Sequence, residues 1–170
     1  GVAVDLDDPF FHWEDCGGAD ALVKVTDLDL TPDPVVVGED ATVSAAAAVK
    51  QVASPVAADV TLEKALVGDK WIKVPCMSTE VAPVGSCHYD DVCSLVPKSA
   101  GVPCPPPAGP YTLKPTTQKV DLGPDVPSVL LTGRFRASVT STDATGKTVL
   151  CFNVQARLEK AAGEEEEQEE

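Results

Sequence analysis

Aromatic residues are scarce in this chain of 170 residues, at 5%, so broad stacking surfaces for bases or sugars are excluded. Positive charge is scarce as well. Thirteen Lys and Arg face twenty-seven Asp and Glu, for a net charge of −14. Six of those fourteen charges sit at Glu164, Glu165, Glu166, Glu167, Glu169 and Glu170, which leaves −8 on the rest. Such a body repels phosphate backbones, and nucleic acid is excluded as a partner. It also repels anionic membranes near neutral pH, less so where acid protonates carboxylates. No apolar run approaches the roughly 18 residues that span a bilayer. The longest, around 43–49, is short and rich in alanine.

The residues of common catalytic constellations are missing too. Only His12 and His88 could serve a Ser-His-Asp arrangement, and no G-x-S-x-G elbow, G-x-G-x-x-G or P-loop sequence occurs. The carboxylate pairs Asp7-Asp8, Glu14-Asp15 and Asp90-Asp91 are adjacent in sequence, which suits solvated loops rather than the two walls of a sugar cleft. Cys87-His88-Tyr89-Asp90-Asp91 would need free thiolates or further histidines to hold zinc. We therefore expect no enzyme, no cofactor and no metal. The sole asparagine, in Asn153-Val154-Gln155, forms no glycosylation sequon.

What is present is β-structure and cysteine. Residues 22–30 interleave apolar and polar residues, placing Thr26, Leu28 and Leu30 on one strand face. Val35-Val36-Val37 reads as a short strand and Gly38-Glu39-Asp40 as a turn. Alanine favours helix over 41–52, but its neighbours are strand-like and strand is expected. Residues 56–66 alternate, with Val60 and Leu62 on one face, and a turn at 67–70 leads into a strand over 71–74. A stretch of prolines and four cysteines follows over 76–110, with room for a short helix around 89–95. A strand over 119–122 and a proline-broken loop over 123–128 come next. Two strong strands close the domain: 134–142, with Phe135, Ala137 and Val139 on one face, and 148–159, with Phe152, Val154, Ala156 and Leu158. Seven or eight short alternating strands argue for an antiparallel sandwich.

We divide the chain into an acidic N-terminal segment (1–10), one domain (11–162) and a disordered acidic tail (163–170), which reads first as a solubilising tail and next as a docking segment. The even cysteine count, with a first residue that is Gly1 rather than Met, suggests disulfides in a mature chain whose signal peptide has been removed. A secreted, lysosomal or other organelle-lumen location is expected. Six cysteines allow 15 pairings, and spacing does not choose among them.

Several segments are familiar in order. They are Phe11-His12-Trp13-Glu14-Asp15-Cys16, Leu28-Asp29-Leu30-Thr31-Pro32-Asp33-Pro34, Val60-Thr61-Leu62-Glu63-Lys64 and Trp71-Ile72-Lys73-Val74-Pro75-Cys76. Gly109-Pro110-Tyr111-Thr112-Leu113 and Thr132-Gly133-Arg134-Phe135-Arg136 follow, then Cys151. Together they resemble the ganglioside-activator branch of the MD-2-related lipid-recognition (ML) family, over most of residues 11–160.

The resemblance implies an all-β, immunoglobulin-like antiparallel sandwich, splayed into a disulfide-stapled β-cup around an apolar lipid cavity. The implied pairs are Cys16–Cys151, Cys76–Cys87 and Cys93–Cys104. The implied function is non-catalytic lipid binding and transfer, in which acyl chains enter the cup and the lipid is presented or moved. The implied partners are a glycolipid, sphingolipid or phospholipid, a membrane touched peripherally, and a lipid hydrolase or larger assembly. Leu28, Leu30, Val60, Leu62, Phe135, Val139, Phe152 and Val154 would line the cavity or its floor. Val67 and Trp71 in one turn, and Val129-Leu130-Leu131 in another, would touch the membrane, although Trp71 also reads as a core residue. Compared with the family, an insertion between Cys93 and Cys104 is missing and Val129 replaces a Trp. That shortened rim and the acidic tail motivate a rival reading, a structural subunit of an extracellular or luminal assembly.

Overall fold

The computed structural model describes residues 10–66, 70–79, 82–96, 101, 103–121, 126–127 and 130–160. Residues 1–9, Val67, Val129 and the acidic tail lie outside the described residues. The strands are β1 (His12–Asp15), β2 (Val23–Thr31), β3 (Val35–Val37), β4 (Asp40–Val49), β5 (Ala57–Ala65), β6 (Trp71–Lys73), β7 (His88–Tyr89), β8 (Gly109–Lys119), β9 (Gly133–Thr142) and β10 (Thr148–Lys160). The larger sheet runs β1-β10-β9-β5-β6, with β3 also on β10 and β7 also on β5. The smaller is β2-β4-β8. All pairings are antiparallel except β3 with β10.

Alternation explains the larger sheet. Val60 faces Val139, which faces Phe152 on the next strand, and Leu62, Ala137 and Val154 form the adjoining row. These rows point at the smaller sheet, while Glu63, Arg136 and Gln155 form an outward row. The β9–β10 hairpin is fixed by buried Asp143. Its carboxylate accepts from the backbone N–H groups of Thr145 (2.9 Å), Lys147 (3.1 Å) and Ala53 (3.2 Å), and from the Thr145 hydroxyl (2.6 Å). The Thr145 hydroxyl bond above all holds this carboxyl below the usual carboxylate range.

Three expectations change. Thr26 does not share the face of Leu28 and Leu30 in the way strict alternation implies. The β2–β4 register shifts between Val25 and Asp27, so the half-buried row is Val23 and Val25, then Leu28 and Leu30, with Thr26 exposed at the bulge. The strand expected over 119–122 ends where it was to begin, because β8 occupies Gly109–Lys119 despite Pro110 and Pro115. It is an edge strand, and Pro115 lies where the β4–β8 register shifts, so neither proline interrupts a central ladder. The helix expected around 89–95 is a single 3₁₀ turn, Val92–Leu95, capped by the Asp91 carboxylate on the Cys93 N–H (3.1 Å).

The core is uneven. At the end of the sandwich where β5 starts and β9 ends, buried Leu22, Val56 and Val149 pack with Val23, Val52, Val92 and Leu150. Toward the other end the facing residues Leu28, Leu30, Val60, Leu62, Val154, Ala156 and Leu158 are only half-buried. Among the described residues no side chain is sealed completely from solvent. A packed sandwich would bury these rows fully. The centre of the small sheet, Ala45 and Ala47 on β4, contributes little side-chain volume.

Candidate functional site

An apolar cavity of about 260 Å³ lies near the end where β5 finishes and β9 begins. Its walls are Leu62, Val84, Gly85, Val126, Leu130, Phe135, Ala156 and Leu158. Leu62, Phe135, Ala156 and Leu158 reach it from the inward rows of β5, β9 and β10, since Ala156 faces Phe135 in register. Gly85 (φ +111°) is required there, because a Cβ would collide with the Pro75 carbonyl. The neighbouring Cys76–Cys87 disulfide and the Ser86 hydroxyl, which donates to the Leu62 carbonyl (3.2 Å), hold this segment against β5.

The structure divides the eight residues expected to line a cavity. Leu62 and Phe135 line the apolar cavity. Leu28 and Leu30 line a separate groove of about 470 Å³ with Phe11, Trp13, Thr31 and Asp33. Phe152 stacks on Trp13, ring centroids 5.9 Å apart. Val60 and Val139 sit between, half-buried and facing each other, and Val154 pairs with Ala137 beside them. Sequence reasoning missed Val84, Gly85 and Val126, which come from irregular segments that no periodicity marks.

The residues expected at the membrane also separate. Trp71 is half-buried on the outward face, its ring 4.3 Å from the Arg136 guanidinium carbon. Arg136 in turn pairs with Glu63 (Nε to Oε1 3.0 Å). Leu130 and Leu131 are half-buried, and Leu130 lines the cavity. Two further apolar residues stand out at this end, Leu66 and Ile72, each 45% exposed. Register gives their signal: Ile72 faces Lys64, the next inward residue after Val60 and Leu62, and Leu66 follows that row.

A polar groove of about 320 Å³ lies on the outward face, lined by His12, Glu14, Glu63, Arg136 and Asn153 among others. These are cross-strand neighbours of an exposed sheet face. His88, the other titratable residue singled out above, bridges Asp59 (2.7 Å) and Asp90 (3.1 Å), while Cys87 beside it is disulfide-bonded. The Asp59 hydrogen bond above all, with Asp90 after it, holds the His88 pKa above its ordinary value. A raised pKa stabilises the fold below the unfolded value of about 6.5 and loses that contribution as pH rises through the folded value. His88→Gln is therefore expected to lower the melting temperature at pH 5 more than at pH 8.5. Equal losses at both pH values would contradict this.

Three disulfides join Cys16 to Cys151, Cys76 to Cys87 and Cys93 to Cys104. Among the described residues no helix is long and apolar enough to cross a membrane.

The family model described as the ML domain matches residues 10–158. The ganglioside GM2 activator of Macaca fascicularis is 30% identical over 165 residues, covering 87% of this chain and 83% of that protein. A phosphatidylglycerol/phosphatidylinositol transfer protein of Mycosarcoma maydis is 29% identical over 150 residues, covering 87% of this chain and 66% of that one. A Niemann-Pick type C2 protein from the Japanese carpenter ant superposes with a TM-score of 0.49 at 15% identity, over 87% of this chain and 99% of that one.

Proposed function

This chain belongs to the ML domain family, and from that premise we propose that it takes lipid acyl chains into its apolar cavity and transfers or presents the lipid. It is a lipid-binding protein and not an enzyme. The single observation that carries the reading is the apolar cavity set against the half-buried inward rows of β5, β9 and β10. Its 260 Å³ lies just below the range of about 300–1,000 Å³ common for ligand sites. Binding is driven by taking chain methylenes out of water, about 0.8 kcal/mol for each one fully buried.

The ligand class is a glycolipid, sphingolipid or phospholipid, in keeping with relatives named for gangliosides and for phosphatidylglycerol and phosphatidylinositol. The exposed side chains Leu66 and Ile72 at the cavity end suit brief contact with a bilayer, together with Leu130, Leu131, Val67 and Trp71. A lipid hydrolase that receives the presented lipid, or an assembly that houses the carrier, completes the reading. Three disulfides suit a secreted or lysosomal setting.

Native mass spectrometry of the purified protein, followed by transfer between liposomes, tests this. Co-purified lipid that exchanges with labelled vesicles is the expected result. An empty protein that moves no lipid at either pH 5 or pH 7.4 would sink the carrier reading and favour a structural subunit.

A further inference from the structure

We propose that Arg134 and Arg157 form a carboxylate-binding site on the outer face of the larger sheet, and that the chain's own acidic tail occupies it. The inference is independent of what the cavity holds. The chain has three arginines, Arg134, Arg136 and Arg157, and the topology brings all of them to neighbouring outward positions of β9 and β10. Arg134 and Arg157 are direct cross-strand partners. Arg136 stands one outward step along β9, opposite Gln155. Like charges directly opposite each other destabilise a sheet, and an anion between them reverses the sign. Arg136 has its anion, since its guanidinium donates to both carboxylate oxygens of Glu63 (3.0 and 3.3 Å). Arg134 and Arg157 make no ion pair among the described residues.

Both side chains are half-buried, and Nε of Arg157 is sealed from solvent with no hydrogen-bond partner among the described residues. A buried donor left unmade is costly, so an acceptor at this guanidinium is favoured. A small turn of the side chain presents Nε and a terminal N–H to one carboxylate, the two-point pairing that Arg136 makes with Glu63. Arg134 lies against Phe10, its guanidinium carbon 5.8 Å from the ring centroid. Such stacking uses the face of the guanidinium and leaves the in-plane N–H groups for an acceptor. The next outward residue of β10, Glu159, is exposed and registers with Val36 of β3. The tail supplies the missing anion. β10 ends at Lys160, three residues beyond Arg157 or about 10 Å along the strand. Ala161-Ala162-Gly163 follows, and then Glu164-Glu165-Glu166-Glu167. A four-residue reversal after Lys160, at about 3.3 Å per residue, carries these carboxylates back beside the arginines. A foreign anion is repelled by the net charge of −14, whereas a short tether holds the tail at millimolar effective concentration.

The test reads the arginine Nε–H signals of the full chain by nitrogen-correlated proton NMR. Three arginines give three signals, assigned with Arg134→Gln and Arg157→Gln. A tail-neutral variant carries Glu164→Gln, Glu165→Gln, Glu166→Gln, Glu167→Gln, Glu169→Gln and Glu170→Gln. It is expected to shift the Arg134 and Arg157 signals and to leave that of Arg136, held by Glu63, in place. High salt should shift the wild type in the same direction. A peptide of residues 164–170 with blocked ends should reverse the shift in the tail-neutral variant. It should bind the wild type more weakly by about threefold or more, because the tethered tail competes. The wild-type signals should not move on dilution. If the tail-neutral variant leaves the Arg134 and Arg157 signals in place, or moves all three alike, the proposal falls. Equal peptide affinity for the two proteins also overturns docking of the tail, and signals that move on dilution overturn it in favour of a second copy.

Discussion

Ala156→Phe is expected to close the cup to lipid and leave the fold at least as stable as before. Ala156 is half-buried on β10, faces Phe135 in register and forms part of the cavity wall. A phenyl ring at this position projects into the 260 Å³ space that chain methylenes would otherwise occupy. If it excludes about four methylenes, lipid binding loses about 3 kcal/mol, roughly a hundredfold in affinity. The same ring gains packing partners in the empty protein, so the melting temperature should hold or rise. This combination separates the carrier from its rival, because a structural subunit with a collapsed interior has no room for the ring. Overpacking would then cost about 1–3 kcal/mol. Liposome extraction and thermal denaturation of the one variant decide the matter: lost extraction with an intact melting temperature supports the cup, and a fallen melting temperature with unchanged extraction refutes it.

The sequence revealed the larger sheet more fully than the smaller one. Over 59–63 in β5, 134–139 in β9 and 152–159 in β10 apolar and polar residues alternate, clear of the register shift near Thr148, so Leu62, Phe135 and Ala156 are legible as inward residues from the sequence. In β2 and β8 the period breaks at bulges, and a period-2 pattern carries no mark of where an extra residue enters. Thr26 was assigned to the wrong face for that reason. No strand is expected over 109–118, where Pro110 and Pro115 fall, because edge position, which spares a proline's missing N–H, is a property of the sheet and not of the segment. β4 shows tertiary context overriding propensity: its alanines favour a helix in isolation, yet strands on both sides supply its ladders. At the site, alternation found the walls contributed by strands. It could not find Val84, Gly85 and Val126, which reach the cavity from irregular backbone.

Loss of the Cys16–Cys151 disulfide is the change expected to weaken the fold most. Its two cysteines are 135 residues apart, against 11 for each of the other pairs. In the chain-entropy view a longer closed loop removes more freedom from the unfolded chain, and removing a native disulfide costs about 2–5 kcal/mol, with this one near the top of that range. The native contacts add to the argument. β1 has four residues, and among the described residues its ladder is with β10 alone. Just before the bridge, Asp15 accepts the Val25 N–H (2.7 Å) and so couples this edge of the larger sheet to β2 of the smaller. Cys16 and Cys151 also share a backbone hydrogen bond (3.0 Å). The bridge therefore pins the short edge strand β1 to β10, and with it the Asp15 contact that reaches β2. With total stability of about 5–15 kcal/mol for a domain, a loss of about 4 kcal/mol is a large fraction. For this size it lowers the melting temperature by about 8–16 °C. Cys16→Ser/Cys151→Ser should show that fall by circular dichroism, with amide exchange accelerated first in β1. Cys93→Ser/Cys104→Ser, which opens the shorter loop at the packed end, should fall by less. If the two double variants melt together, or the order is reversed, the long bridge is not what secures the open sandwich.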